Sequence, residues 1–142
     1  MNDQRTRVLF VCIGNSCRSQ MAEGFASRYG ADVMVAASAG LSPAQGVAPD
    51  TKRAMQEKNI DVQHHFPKGF RQFSKSRFDL VVNMSGFDLP EGLGASIRKW
   101  EVRDPISLDF EQHCAIRDQI ETLVMNLILE LRRTVKSRNN AL

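Results

Sequence analysis

The sequence has few of the features that mark membrane, disulfide-rich or nucleic-acid-binding proteins. Only three of its 142 residues are cysteine, an odd number that does not make a disulfide framework in a chain of this length. Its apolar runs are far shorter than the ~20 residues that a membrane-spanning helix needs. The formal net charge is only +3, and the basic residues are scattered, which argues against a nucleic-acid partner. We therefore expect a cytoplasmic protein that binds neither membrane nor nucleic acid.

Motifs for metals and nucleotide cofactors are also missing. His64, His65 and His113 are the three histidines, and no Cys-x2-Cys or His-x3-His spacing accompanies them. Zinc sites need three or four convergent ligands, so we expect these histidines at the surface or in loop packing. The glycines form neither Gly-x-Gly-x-x-Gly nor a Gly-Lys-Ser/Thr ending. We expect no metal and no cofactor.

The composition is that of an ordinary globular protein, with 42% hydrophobic and 25% charged residues. The length suits one domain over residues 1–142, since no repeat or linker divides the chain. Apolar runs predict strands over residues 8–11, 33–37, 78–82 and 97–102. Apolar residues at three- and four-residue steps predict helices over residues 19–29, 50–58 and 111–136. This alternation predicts an open α/β sheet.

In such sheets the ligand site lies beyond the carboxyl ends of the strands, which draws attention to the segment after the first strand. It reads Cys12-Ile13-Gly14-Asn15-Ser16-Cys17-Arg18-Ser19. The N–H groups of such a turn, together with a helix N-terminus, can bind an anion. Gly14 and Asn15 are the residues most able to take a positive φ, and Arg18 offers a planar fork to two oxygens of a tetrahedral oxyanion. We expect the substrate to be bound by Ile13, Gly14, Asn15, Ser16, Cys17 and Ser19.

Cys12 lies beneath this positive field, which stabilises a thiolate. A thiolate under a bound phosphate is a nucleophile aligned with phosphorus, and Ser19 is placed to donate a hydrogen bond to the sulfur. In the alternative interpretation Cys12 is a small buried hydrophobe and Arg18 an exposed helix residue. The position between a strand and a helix favours the catalytic interpretation.

Phosphate-ester chemistry also needs a proton donor for the leaving oxygen. Asp104 precedes Pro105 just after the fourth apolar segment, so the end of that strand brings its carboxylate to the same sheet edge as Cys12. The alternative is that Asp104 only opens a turn, since Asp-Pro is common in turns.

Residues 12–24, Ser38-Ala39-Gly40 and Asp104-Pro105 together resemble the low-molecular-weight protein tyrosine phosphatase family. Bacterial thioredoxin-linked arsenate reductases share its fold and loop. The resemblance implies a four-stranded parallel sheet flanked by helices, of flavodoxin-like architecture, and a cysteinyl-phosphate intermediate formed without metal.

The resemblance also implies a role for each site residue. Cys12 is then the nucleophile, Arg18 binds the oxyanion, and Asp104 acts first as acid and then as base. Asn15 and Ser19 hold the loop and the thiolate. A cysteine at the position of Cys17 can form a reversible disulfide with the nucleophile in the phosphatases, which implies a redox-regulatory role. The alternative is that Cys17 merely fills the loop.

The cysteine positions separate the two branches of the family. Reductases of this type relay oxidation through two further cysteines after the third strand, but residues 81–88 contain none. The cysteine outside the loop is Cys114, which we interpret as a partly buried residue of the last helix. Residues 19–24 and 38–41 nevertheless look more like the reductase branch. The chain thus resembles a reductase scaffold without the reductase thiol pair.

The phosphatase branch commonly carries tyrosines directly after Asp-Pro. This chain has Ile106 and Ser107 there, and its single tyrosine is Tyr29 on the first helix. Phosphate-ester chemistry is therefore better supported than specificity for phosphotyrosine.

Our leading hypothesis is a metal-independent phosphatase that hydrolyses phosphate monoesters, with protein phosphotyrosine as the expected substrate. Its partners would be a phosphorylated protein or a small phosphate ester, with inorganic phosphate or another oxyanion as product or inhibitor. The first alternative is arsenate reduction with an external thiol or a glutaredoxin-like partner. The second is a non-catalytic module that binds oxyanions or phosphoproteins.

Overall fold

The chain is organised by a four-stranded parallel sheet in the order β2-β1-β3-β4. The computed structural model describes residues 3–73 and 77–140. The strands are β1 Thr6–Cys12, β2 Met34–Gly40, β3 Phe78–Asn83 and β4 Gly94–Lys99. The helices are α1 Arg18–Tyr29, α2 Pro49–Gln56 and α3 Phe110–Asn140, with a short 3-10 segment at Phe70–Phe73. The α/β fold expected from the sequence is confirmed.

β1 lies in the middle of the sheet and is covered on both faces. Val8, Leu9, Phe10 and Val11 are all fully buried, which explains their unbroken apolar run. Val8 and Phe10 belong to the larger core cluster, formed with α1 and α3. Leu9 and Val11 belong to a smaller cluster that is covered by the segment around Phe70–Phe73. Burial of each of these side chains contributes roughly 1.5–3 kcal/mol.

α3 packs along the sheet through a single apolar stripe. Ile120, Val124, Leu127 and Ile128 are buried, at the spacing that the sequence predicts, and the helix continues to Asn140 rather than ending at residue 136. None of the helices in the described part of the chain combines the length and the apolar content needed to cross a membrane.

The bounds of β4 differ most from the sequence prediction. The apolar residues favoured a strand over residues 97–102, whereas β4 begins at Gly94 and ends at Lys99. β4 is an edge strand, and its pairing with β3 sets both ends, from Phe78 opposite Gly94 to Asn83 opposite Lys99. Most of its residues are exposed, so apolar periodicity does not mark it. Residues 100–102 instead lead away from the sheet towards the site.

β2 also extends three residues beyond its predicted end, because it pairs with β1 as far as Gly40 opposite Cys12. At this point the two chains are very close. A methyl group on Gly40 would lie 2.6 Å from the carbonyl oxygen of Ile13 and 2.7 Å from the nitrogen of Asn15. Real side chains essentially never come so close to backbone atoms. Glycine is therefore required where β2 supports the loop that follows β1.

This close approach predicts that Gly40→Ala displaces residues 13–15. We expect the free energy of unfolding to fall by about 1–3 kcal/mol, the usual cost of overpacking, together with a loss of phosphate binding. Thermal denaturation and titration calorimetry with inorganic phosphate measure the two effects. Gly46→Ala is the matched control, since a methyl group on Gly46 meets nothing within 4 Å. Equal behaviour of the two variants would contradict the prediction.

Candidate active site

Residues 12–19, which we call the oxyanion loop, connect β1 to α1 at the carboxyl edge of the sheet. Asn15 has a φ of 51°, as the sequence predicts, whereas Gly14 does not take a positive φ. The loop carbonyls face outwards to the chain that follows β2. Ile13, Gly14 and Ser16 accept backbone hydrogen bonds of 2.8–3.1 Å from that segment. In the described chain the N–H groups of residues 14–17 make no backbone hydrogen bond, which leaves them available to an anion.

Cys12 is buried, and its sulfur is in hydrogen-bond contact with Ser19. The Ser19 hydroxyl oxygen lies 2.9 Å from Cys12 Sγ, and the Ser19 N–H donates to the same sulfur at 3.4 Å. Asn15 Nδ2 donates to the Ser19 hydroxyl oxygen at 2.7 Å. Because the Ser19 oxygen already accepts from Asn15, its proton is free to point at the sulfur. The hydroxyl and the N–H of Ser19 can therefore both donate to the Cys12 sulfur.

Arg18 is buried beside the loop with its guanidinium fixed in direction. Nη1 donates to the carbonyl oxygen of Met84 and to that of Val102, the latter at 2.9 Å. Nη2 lies 3.4 Å from Asp104 Oδ2. Nε is buried and has no hydrogen-bond partner among the described residues. A buried N–H without a partner costs ~1–3 kcal/mol, and a tetrahedral oxyanion would satisfy it.

Asp104 lines a small pocket that is also lined by Cys12 and Arg18. Its Oδ1 accepts the N–H of Ile106 at 3.1 Å, which fixes the carboxylate after the buried Pro105. The pocket has a volume of about 200 Å³. It is lined by Cys12, Ile13, Gly14, Ser16, Cys17, Arg18, Ala44, Asp104 and Ile106. The structure therefore brings Cys12, Arg18 and Asp104 together at one place, as the sequence spacing indicates.

Gln20 is a site residue to which the sequence analysis assigned no role. It is fully buried in α1, and its Nε2 donates to Asn15 Oδ1 at 3.0 Å and to the Asn15 carbonyl at 3.1 Å. His65 Nδ1 lies 2.8 Å from Gln20 Oε1. These contacts hold Asn15 in its left-handed conformation. Sequence spacing carries no signal for this role, because His65 and Phe66, which also contact Gln20, lie 45 and 46 residues further along the chain.

Lys68, Glu23 and Ser38 support Asn15 from the other side. The Lys68 N–H donates to Asn15 Oδ1 at 2.9 Å, and Lys68 Nζ lies 3.9 Å from Glu23 Oε1. Ser38 donates to Glu23 at 2.7 Å. Burial lowers the pKa of the Lys68 ammonium, and the Glu23 carboxylate opposes this. The segments containing Glu23 and Ser38 carry the resemblance, but their contact with the loop depends on the fold.

A second cavity of about 500 Å³ lies on the other side of Arg18. Its lining comprises Arg18, Asn83, Met84, Gly86, Phe87, Asp88, Lys99, Trp100, Glu101, Val102 and Arg103. None of these residues is a cysteine, although this is the segment where the related reductases are expected to carry their thiol pair. Trp100 also packs on the Phe10 ring, at 5.9 Å between ring centroids, so its position is fixed by the core.

The described chain contains no disulfide among its three cysteines. Cys17 is buried beside Cys12 in the small pocket, and burial raises the pKa of its thiol to about 11. Cys114 is on α3, where its thiol donates to Glu57 Oε1 at 3.6 Å, and it does not line the pocket. Within residues 3–73 and 77–140, no group of three histidine, cysteine or acidic side chains is arranged to hold a metal ion.

Comparison with known proteins gives two kinds of relative. The chain is 34% identical to a protein named glutaredoxin arsenate reductase from Synechocystis sp., over 88% of this chain and 98% of the relative. Its fold matches a solved arsenate reductase in a phosphate-binding state, with a TM-score of 0.82 and 33% identity over 89% of this chain and 98% of the other. It also matches a low-molecular-weight protein tyrosine phosphatase from T. tengcongensis, with a TM-score of 0.75 and 28% identity over 88% and 99% of the two chains.

The match to a family sequence model covers the part of the chain that builds the loop. The family is described as low molecular weight phosphotyrosine protein phosphatase, and the matched residues are 7–91. They include the oxyanion loop and its support from β2 and from Lys68, while Asp104 lies beyond the matched range. With more than half of the sequence matched, the chain belongs to the low-molecular-weight phosphotyrosine protein phosphatase family, in which its arsenate-reductase relatives are also found.

Proposed function

We propose that the protein reduces arsenate through a covalent adduct on Cys12. The observation that carries this proposal is the pairing of a sulfur supported by Ser19 with a buried Arg18 whose Nε has no partner. We infer that a tetrahedral oxyanion binds between these two groups. Arsenate and phosphate share this shape, and the similarity to reductases such as the Synechocystis protein favours arsenate. This places arsenate reduction ahead of the phosphatase activity that the sequence analysis put first.

The first chemical step follows from the positions of the three side chains. The Cys12 thiolate attacks arsenic, an As–O bond breaks, and Asp104 gives a proton to the departing oxygen, which leaves as water. The N–H groups of the loop and the Arg18 fork stabilise the charge on the remaining oxygens. A second thiol must then attack the Cys12 sulfur to release arsenite. Residues 84–93 contain no cysteine, so that segment does not supply it.

The ultimate reductant in this proposal is an external thiol, either a small molecule or a glutaredoxin-like protein. The name of the Synechocystis relative supports the glutaredoxin class. Such reductants are present in the cytoplasm, and the cytoplasmic location that we inferred from the sequence stays a prediction.

A second candidate function is hydrolysis of phosphate monoesters, favoured by the position of Asp104. Its carboxylate is 3.4 Å from Arg18 Nη2, within the pocket that contains Cys12. There it can protonate a leaving alcohol and then activate water to hydrolyse the cysteinyl phosphate. The exposed Ile106 stands at the pocket where the phosphatases carry tyrosine, so small phosphate esters suit the site better than phosphotyrosine.

The arsenate proposal predicts that the reduced protein forms arsenite from arsenate when glutathione and glutaredoxin are supplied, and that Cys12→Ser abolishes this. A serine hydroxyl is a far weaker nucleophile than a thiolate at neutral pH. Arsenite is measured by chromatography with elemental detection. Cys114→Ser is the matched control and should retain wild-type activity. Arsenite formation by the Cys12→Ser protein would refute the proposal.

The phosphatase candidate predicts hydrolysis of a generic aryl phosphate at mildly acidic pH with a chelator present. We expect Cys12→Ser to be inactive and Asp104→Ala to be slower by about 10²-fold or more, the usual contribution of a general acid. Asp61→Ala, on the exposed surface, serves as the control. Absence of hydrolysis by the fully reduced wild-type protein would eliminate this second function and leave the arsenate proposal standing.

A further inference from the structure

A buried chain of three polar side chains leads away from the oxyanion loop into the core. Cys17 immediately precedes α1, Thr51 is in α2 and His113 is in α3. They are 4%, 0% and 1% exposed. Thr51 Oγ1 and His113 Nε2 are 3.0 Å apart, which is a good hydrogen bond. Neither Thr51 nor His113 has a part in the chemistry described so far.

Cys17 joins this chain to the reacting groups. It lines the same small pocket as Cys12 and Asp104, and the negative charges of both act on its thiol. The Thr51 hydroxyl acts to lower the pKa of the Cys17 thiol, but burial has the larger effect and raises that pKa to about 11. At pH 7 such a thiol is almost entirely protonated. Cys17 can therefore act as a nucleophile only if a nearby group accepts its proton.

His113 is suited to accept that proton. Burial lowers the pKa of its imidazole, so the ring is neutral at pH 7. The charged groups around it are the carboxylates of Asp50 and Asp104, which raise the pKa, and the Arg117 guanidinium, which lowers it. When the ring proton is on Nδ1, Nε2 accepts a hydrogen bond from Thr51, and the Thr51 oxygen is then free to accept from Cys17.

We propose that Cys17 is the thiol that resolves the Cys12 adduct and that its proton passes through Thr51 to His113. This inference rests on the arsenate reduction proposed above. It assigns Cys17 a step in every turnover rather than only protection of Cys12 against oxidation.

The proton of Cys17 moves to Thr51 Oγ1 as the Thr51 proton moves to His113 Nε2. Cys17 Sγ attacks Cys12 Sγ, an S–S bond forms, and the S–As bond breaks with its electron pair remaining on arsenic. Arsenic(V) becomes arsenic(III) and leaves as arsenite, while two thiols become one disulfide. A dithiol protein, or two equivalents of a small thiol, then reduces the disulfide and restores the starting state.

The pairing of Cys12 and Cys17 accounts for a reductase scaffold whose segment after β3 lacks cysteine. Cys114 is not suited to this role. It does not line the pocket, and its thiol interacts with Glu57 at the end of α2 and with Arg117 of α3.

A single turnover without external thiol tests the role of Cys17. Fully reduced protein is freed of reductant under anaerobic conditions and mixed with arsenate. We expect about one arsenite per protein molecule and a Cys12–Cys17 disulfide in the peptide mass map. Cys17→Ser should release no arsenite under these conditions, and Cys114→Ser should match the wild type.

The outcomes separate this inference from the function on which it rests. If wild type and Cys17→Ser both form arsenite at the same rate, and only when glutathione is added, Cys17 is not the resolving thiol and the inference is wrong. If the wild type forms no arsenite under any thiol condition, the proposed function itself fails, and the inference fails with it.

The proton path is tested by the pH dependence of the same single turnover. Thr51→Val should slow disulfide formation by about tenfold or more, and Thr51→Ser should restore it, since only the hydroxyl carries the proton. The wild-type rate should remain level as the pH falls from 8 to 6.5, because the lowered pKa of His113 keeps the ring neutral in this range. In His113→Gln the rate should fall by about tenfold per pH unit. Identical pH profiles for the wild type and His113→Gln would overturn the relay, and failure of Thr51→Ser to restore the rate would do the same.

Discussion

The hydrogen bonds of Asn15 are the interaction on which the site depends. Its φ of 51° bends the chain so that the loop closes around a pocket, a conformation that costs a residue other than glycine ~1–3 kcal/mol. The side chain offsets this cost by donating to Ser19 and accepting from Gln20 and from the backbone of Lys68. Each such bond contributes about 0.5–1.5 kcal/mol. The same bond to Ser19 sets the direction of the hydroxyl that faces Cys12, so loop shape and sulfur chemistry share one cause.

The parallel sheet brings the site residues together, and the hydrogen bonds of Asn15 then fix their orientation. The carboxyl ends of β1, β2, β3 and β4 lie at one edge, and each contributes to the site. β1 ends in Cys12. β2 ends in Gly40, which has no side chain and so leaves room for the backbone of the oxyanion loop. The chain after β3 and the chain after β4 provide the two carbonyls that orient Arg18, at Met84 and Val102. Arg18 is thus fixed by chain segments that are far apart in sequence, and its Nε has no hydrogen-bond partner among the described residues.

The sequence allowed the loop and its main residues to be predicted because they are local. Eight consecutive residues between an apolar run and a helix contain the sulfur, the arginine and the turn, and the Asp104-Pro105 pair lies one residue beyond an apolar segment. Contacts across the sequence could not be predicted in this way. Gln20 meets Phe66 because the loop that follows α2 returns to α1, and Thr51 meets His113 because α2 packs against α3. His113 was expected at the surface or in loop packing, but it is buried. The bounds of β4 were misplaced for a related reason, since an exposed edge strand is defined by its partner.

The central claim is that Arg18 and the N–H groups of the loop hold a tetrahedral oxyanion above Cys12. A crystal structure of the reduced protein with bound arsenate or phosphate tests it most directly. The account predicts one anion oxygen within hydrogen-bond distance of Arg18 Nε, others facing the N–H groups of residues 14–17, and the central atom in line with Cys12 Sγ. An anion bound elsewhere, with Arg18 Nε still unpaired, would contradict the account.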